Sequence, residues 1–248
     1  NINLFFLILF ISFIIFKSHD DFSYYHFPYT YYLTQSKIIF GIGNFDHGFR
    51  TPSSLFYLNS LFYLPVIKYY FFHIGAILMM GFTSYHFFYL IQKGLKNKNY
   101  DKFFFLSLLF FMFTLIFFYR IAEHGTDRSA QILIFLLVIE LLIIINFNKN
   151  IKENIVKILT ILGLVISLKS FYVLYLLLTF PVIYYFLIDK KYTNIILIFK
   201  SSFFYYFLIL FSNVLFVNFA NSGCLIYPVS LTCFDFFSWS IPLKEVLI

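Results

Sequence analysis

The residues able to do chemistry fall in a few polar stretches of an otherwise apolar chain. The first contains Lys17, His19, the adjacent Asp20 and Asp21, then His26 and Pro28. Two neighbouring carboxylates followed by a histidine can bind a divalent cation or supply a general base. The plainer alternative is a solvated helix end at a membrane interface. A second stretch holds Arg120, Glu123, His124, Thr126, Asp127 and Arg128. Its acids and bases can pair with one another, and Asp127 or Thr126 can equally cap the helix that follows. The functional alternative joins Glu123 and Asp127 to Asp20 and Asp21, with Arg120 or Arg128 on a phosphate.

A third stretch, residues 41–54, includes Asp46, His47 and Arg50 among glycines that permit tight turns. His47 and Arg50 can bind an anion, and Ser53 or Ser54 can cap the apolar piece that starts at Leu55. Its Gly41-Ile42-Gly43 lacks the strand-turn-helix setting of a dinucleotide site. Lys169 stands between two apolar runs, where it must snorkel, pair or face a wet cavity; as a ligand it would neutralise a lipid-linked phosphate. Glu140 lies inside an apolar run, roughly 9 Å from its end at Asn146. Cys224 and Cys233 are the two cysteines. In an oxidising compartment they can form a disulfide, worth about 2.7 kcal/mol on the loop-entropy model. Two free thiols are the other reading, and two cysteines alone do not fill a zinc site.

The elements that must position these residues are membrane spans. The 248 residues are 61% hydrophobic, 25% aromatic and 12% charged, with a mean hydropathy of +0.86. A soluble fold of this length cannot hide so much apolar surface. Composition excludes a water-soluble enzyme, a disordered chain and a small disulfide-stapled module, leaving an all-α polytopic integral membrane protein. The net charge of +7 reflects lysines in short loops rather than a nucleic-acid partner. Apolar runs at residues 2–16, 69–91, 103–119, 131–146, 158–168, 171–188 and 195–217 predict about seven transmembrane helices. Lysine-rich loops at 92–102, 146–157 and 189–194 then face the cytoplasm, together with the N-terminus. Loops 17–54, 120–130, 169–170 and 218–248 face out, the first of them long, Tyr-rich and expected to carry interfacial helices. The weakest element is 158–168; one long helix over 155–188 is the competing reading, but it would put Lys190 and Lys191 outside.

Asp20-Asp21 after the first helix, the long first outer loop and the Glu123/Asp127 loop resemble the membrane glycosyltransferases of the GT-C fold. These are relatives of protein O-mannosyltransferases and of the aminoarabinose lipid A transferase. The His47…Ser-Ser-Leu-Phe-Tyr-Leu stretch and the Cys224…Cys233 segment also resemble a group of bacterial multi-pass proteins associated with that fold. The resemblance implies sugar transfer from a polyprenyl-phosphate donor to a lipid, glycan or protein acceptor on the outer face of the bacterial inner membrane. It makes Asp20 or Asp21 the base, and Glu123 and Asp127 a second acidic pair. Arg50, Arg120, Arg128 and Lys169, with His26 and His47, become substrate or phosphate ligands. Any divalent metal (Mg or Mn) would sit on Asp20, Asp21, Glu123 and Asp127. Such enzymes usually have more helices, so the chain reads as one transmembrane domain, 1–248, from the N-terminal part of a longer protein. The alternatives are a glycan or lipid transporter, which should carry ionisable groups at mid-membrane; a surface-polysaccharide polymerase, which should carry Arg-rich outer loops; and a non-catalytic membrane subunit.

Overall fold

The computed structural model describes residues 2–15, 21–116, 126–147 and 150–246. Within them the protein is helical and contains no β-strand. Its main helices are α1 (Ile2–Ile15), α2 (Phe27–Gln35), α3 (Ser54–Ser60), α4 (Ile74–Asn97), α5 (Lys102–Ile116), α6 (Thr126–Phe147), α7 (Ile151–Leu168), α8 (Phe180–Ile188), α9 (Tyr192–Lys200), α10 (Ser202–Ser222) and the short α11 (Leu243–Val246).

Four stretches are long and apolar enough to cross a membrane: Tyr69–Asn97, Thr126–Phe147, Ser170–Ile188 and Ser202–Ser222. α1 and α5 contribute shorter apolar runs, Ile2–Phe13 and Lys102–Ile116. Seven spans were expected, and these four meet the length and hydropathy requirement among the described residues. The expected run 103–119 passes into residues 117–125, which lie outside them. α7 carries Lys152, Glu153 and Lys157 near its start, so its charge sets it apart from the four.

α6 and α7 form the centre. Leu133, Leu137, Leu141 and Ile144 of α6 pack with Ile158, Leu162, Val165 and Ile166 of α7. Val182 and Phe186 of α8 and Phe207 of α10 join the same core. The outer helices bury one edge and expose the rest: Phe105, Leu109, Met112, Leu115 and Ile116 on α5, and Tyr205, Tyr206 and Ile209 on α10, are exposed. So wide an apolar surface is stable against lipid and not against water.

The helix ends differ from the sequence expectation in three places. α6 begins at Thr126 rather than Gln131, because Asp127 in its first turn complements the helix dipole and lets polar residues start the helix. The run 195–217 is not one helix: Ser201 is extended (φ −69°, ψ 132°) and its hydroxyl accepts from Phe203 N, ending α9 and starting α10. α7 extends back to Ile151. The chain does break at Lys169, which is extended (φ −154°, ψ 133°). Residues Ser170–Thr179 then wind as a 3₁₀-helix into α8. At about 2.0 Å per residue for that piece and about 1.5 Å for α8, Ser170–Ile188 reaches roughly 33 Å, enough for a hydrocarbon core of about 30 Å.

One end of the bundle carries the turns at Lys98, Asn150 and Lys190, each with positive φ. Asp101 caps α5 by accepting from Phe103 N and Phe104 N, and Lys102 bonds to Asn146. The other end is a folded cap made by α2, α3 and the segment after α10. Tyr29, Phe49 and Phe56 form its core. The buried Asn221 amide donates to Tyr29 Oη at 2.7 Å and to the Phe49 carbonyl at 3.0 Å. Gly41 N donates to Ala220 O, and Asn44 Nδ2 to Trp239 O. Cys224 and Cys233 are disulfide-bonded within this cap.

Candidate functional site

The site is built at the cap end, where the chain enters α6 and leaves α7. The first turn of α6 presents Asp127. The break after α7 presents Lys169, whose Nζ lies 2.6 Å from Asp127 Oδ1. Tyr172, on the following 3₁₀ turn, donates its hydroxyl to the same carboxylate oxygen at 2.8 Å. The lysine is mostly covered and the carboxylate is half open (side chains 22% and 53% exposed), so Asp127 retains an accessible face.

The first loop closes over this pair. A π-turn, Phe22–His26, leads into α2. It places the buried His26 near Asp127. Tyr25 stands with its ring 4.3 Å from that of His26. Burial, and then the nearby carboxylates of Asp21 and Asp127, push the Tyr25 phenol up, so it stays a neutral hydroxyl. Gly48 allows this approach: a Cβ there would stand 2.3 Å from the Tyr25 ring. Arg128 bonds to Gln131 Oε1 at 2.5 Å, and its charge also reaches the Tyr172 hydroxyl.

Of the residues singled out in the sequence, Asp21, His26, Asp127, Arg128 and Lys169 therefore gather at one site. Asp20, Arg120 and Glu123 lie outside the described residues. Arg50 and His47 belong to a neighbouring group in the cap. Arg50 Nη2 pairs with Glu245 Oε2 at 2.6 Å, its Nε donates to the Gly43 carbonyl, and Nη1 reaches Tyr227 Oη at 3.5 Å. The His47 ring sits 6.4 Å from that of Tyr227. Asp46 caps the 3₁₀ turn that carries them, accepting from Gly48 N at 2.7 Å. Arg50 thus ties the first loop to the C-terminal segment. Among the described residues no three His, Cys, Asp or Glu side chains are grouped to hold a metal ion; two of the four carboxylates named for that role, Asp20 and Glu123, fall outside them.

Sequence reasoning passed over Tyr25 and Tyr172, because 21 tyrosines leave no single one conspicuous. It also passed over a cleft of about 360 Å³ beside the site. Ile38 and Tyr57 line one side; Leu210, Val214 and Val217 of α10 line the other. Its polar edge holds Ser54 and Ser167, whose hydroxyls are 2.8 Å apart, and Asn218, which accepts from Ser170 at 3.2 Å. Ser167, on this edge, stands two residues before Lys169 in the chain.

The arrangement can hold an anion beside Lys169 and Arg128, and can accept a proton at Asp127 or Asp21. No curated protein and no solved structure matches the chain. The family described as Domain of unknown function (DUF8201) matches residues 1–247, and the chain belongs to that family.

Proposed function

We propose that the protein is an integral membrane glycosyltransferase of GT-C type. It moves a sugar from a polyprenyl-phosphate donor to a lipid, glycan or protein acceptor at the cap end, which faces away from the cytoplasm. The observation that carries this reading is the meeting of Asp127, Lys169 and Tyr172 under Asp21, Tyr25 and His26. A lipid phosphate leaving group gains negative charge as the glycosidic bond breaks. Lys169 and Arg128 supply fixed positive charge where that phosphate would lie. Asp21, or Asp127 once the phosphate draws Lys169 away, takes the proton of the acceptor hydroxyl. The cleft against α10 accommodates part of the donor's chain and opens on the apolar flank from which a lipid arrives. The placement of the lysine-rich turns at the opposite end agrees with a cytoplasmic face there.

The test is genetic and chemical. A deletion strain is complemented with wild type, Asp21→Asn, Asp127→Asn or Lys169→Met at matched membrane levels, and its surface glycans and glycolipids are profiled by mass spectrometry. Loss of one sugar increment, restored by wild type and not by Asp127→Asn or Lys169→Met, is the expected result. A wild-type profile from all three variants would overturn the reading.

A further inference from the structure

A second ionisable pair lies inside the bundle, far from the cap. Glu140 is on α6, seven residues before its end at Phe147, or roughly 10 Å along the axis. It is 2% exposed. Its Oε1 stands 3.9 Å from His86 Nε2 of α4. Among the described residues neither Glu140 Oε2 nor His86 Nε2 has a hydrogen-bond partner.

The surroundings are specific. α7 contributes Lys157, whose charge acts on both His86 and Glu140, and Glu153, which pairs with Lys157 at 3.0 Å. α5 contributes Lys102, bonded to Asn146 at the helix end. α8 contributes Tyr185, whose hydroxyl accepts from Lys191 at 3.2 Å. Asp127, on α6 itself, is thirteen residues away and engaged by Lys169. Glu153, Asn154 and Lys157 make a polar strip on α7 that runs from the pair to the helix start at Ile151. Glu153 and Lys157 are exposed, so the strip joins the buried Glu140, and His86, whose side chain is 33% exposed, to water.

Glu140 Oε2 and His86 Nε2, each without a hydrogen-bond partner among the described residues, leave a position open for a proton beside the pair. An ionised carboxylate with a bare oxygen is costly inside a membrane bundle. A proton placed between Glu140 and His86 removes that cost, and Lys157 balances the charge when the proton leaves. We propose that His86 and Glu140 form a proton-binding site that exchanges one proton with the lysine-rich end through the α7 strip. On uptake a proton from water bonds to the carboxylate or the imidazole, and the pair's net charge rises from −1 to zero. On release the same bond breaks and the proton returns along the strip. The site is independent of sugar transfer at the cap.

The experiment uses the full chain in lipid nanodiscs. Infrared difference spectra are recorded from about pH 4 to pH 10, with D2O exchange to mark protonated carboxyls. Wild type is expected to show a titrating protonated-carboxyl band that Glu140→Gln removes and Glu153→Gln leaves. His86→Gln should move its midpoint by about one pH unit or more. Glu140→Asp, which keeps the carboxyl, should retain a displaced band and decides the matter if Glu140→Gln fails to fold. A wild-type spectrum with no band attributable to residue 140, or a midpoint unmoved in His86→Gln, would overturn the proposal.

Discussion

Lys169 and Asp127 meet across the cap end of the bundle, Nζ to Oδ1 at 2.6 Å, although one ends α7 and the other starts α6. The contact joins a residue that interrupts two apolar helices to one that begins a third. Both are partly open to solvent, so the pair contributes little to stability, below about 1 kcal/mol. Lys169→Met should leave thermal unfolding in detergent nearly unchanged while lowering transfer by about 100-fold or more. The exchanged pair, Asp127→Lys with Lys169→Asp, should keep the contact and still lack transfer. Equal activity in the exchanged pair would mean that the contact is only structural.

Asn221 is the opposite case. It is buried and holds both the Tyr29 hydroxyl and the Phe49 carbonyl. Asn221→Ala leaves those groups unpaired and should cost about 1–3 kcal/mol, read as a lower unfolding midpoint. The loosened cap should also become more sensitive to protease at residues 36–46.

Two glycines separate a close approach from mere helix position. A Cβ at Gly48 would meet Tyr25 at 2.3 Å, while one at Gly163 would meet Leu210 Cδ1 at 3.2 Å, an atom that can give way. Gly48→Ala should destabilise by about 1–3 kcal/mol and reduce activity, since Tyr25 lies near Asp21 and Asp127. Gly163→Ala should be neutral or stabilising by up to about 1 kcal/mol, because it removes a flexible residue from a helix. Thermal unfolding of both variants beside wild type checks the order.

The Cys224–Cys233 disulfide makes the untreated chain inert to alkylating reagents. Reduction should expose two thiols and lower stability by about 2.7 kcal/mol on the entropy model. Alkylation followed by intact-mass measurement, with and without reductant, gives the count directly.

Sidedness is open to labelling. In a chain lacking both native cysteines, Ser36→Cys at the cap should react with an impermeant maleimide on intact cells. Asn97→Cys, at the lysine-rich end, should react after lysis alone. The reverse pattern would invert the proposed orientation and remove the outer-face donor.

Much of the architecture is written in one dimension. Hydropathy identifies apolar helices because each must shed its surface from water whatever its neighbours are. Clustered lysines mark one end of the bundle. The interruption at Lys169 is legible because a lysine flanked by apolar runs cannot sit at mid-membrane, and the extended conformation there agrees. Asp21, His26, Asp127, Arg128 and Lys169 were recognisable as candidates by residue type. The break at Ser201 was not, since Lys200, Ser201 and Ser202 are too few to lower the hydropathy of a long run, and the turn depends on Ser201 capping Phe203 N.

Composition and local pattern by themselves determined that this is a helical, membrane-type chain with polar chemistry confined to short segments. Tertiary structure alone decided which of those residues meet. Tyr172 reaches Asp127 across 45 residues and Asn221 reaches Tyr29 across 192; Arg50 is drawn to Glu245, and His86 is set before Glu140. The physical reason is range: burial and charge placement act on each residue where it stands in the chain, whereas hydrogen bonds and ion pairs act over about 3 Å between groups that only the packing of α4, α6, α7 and the cap brings together.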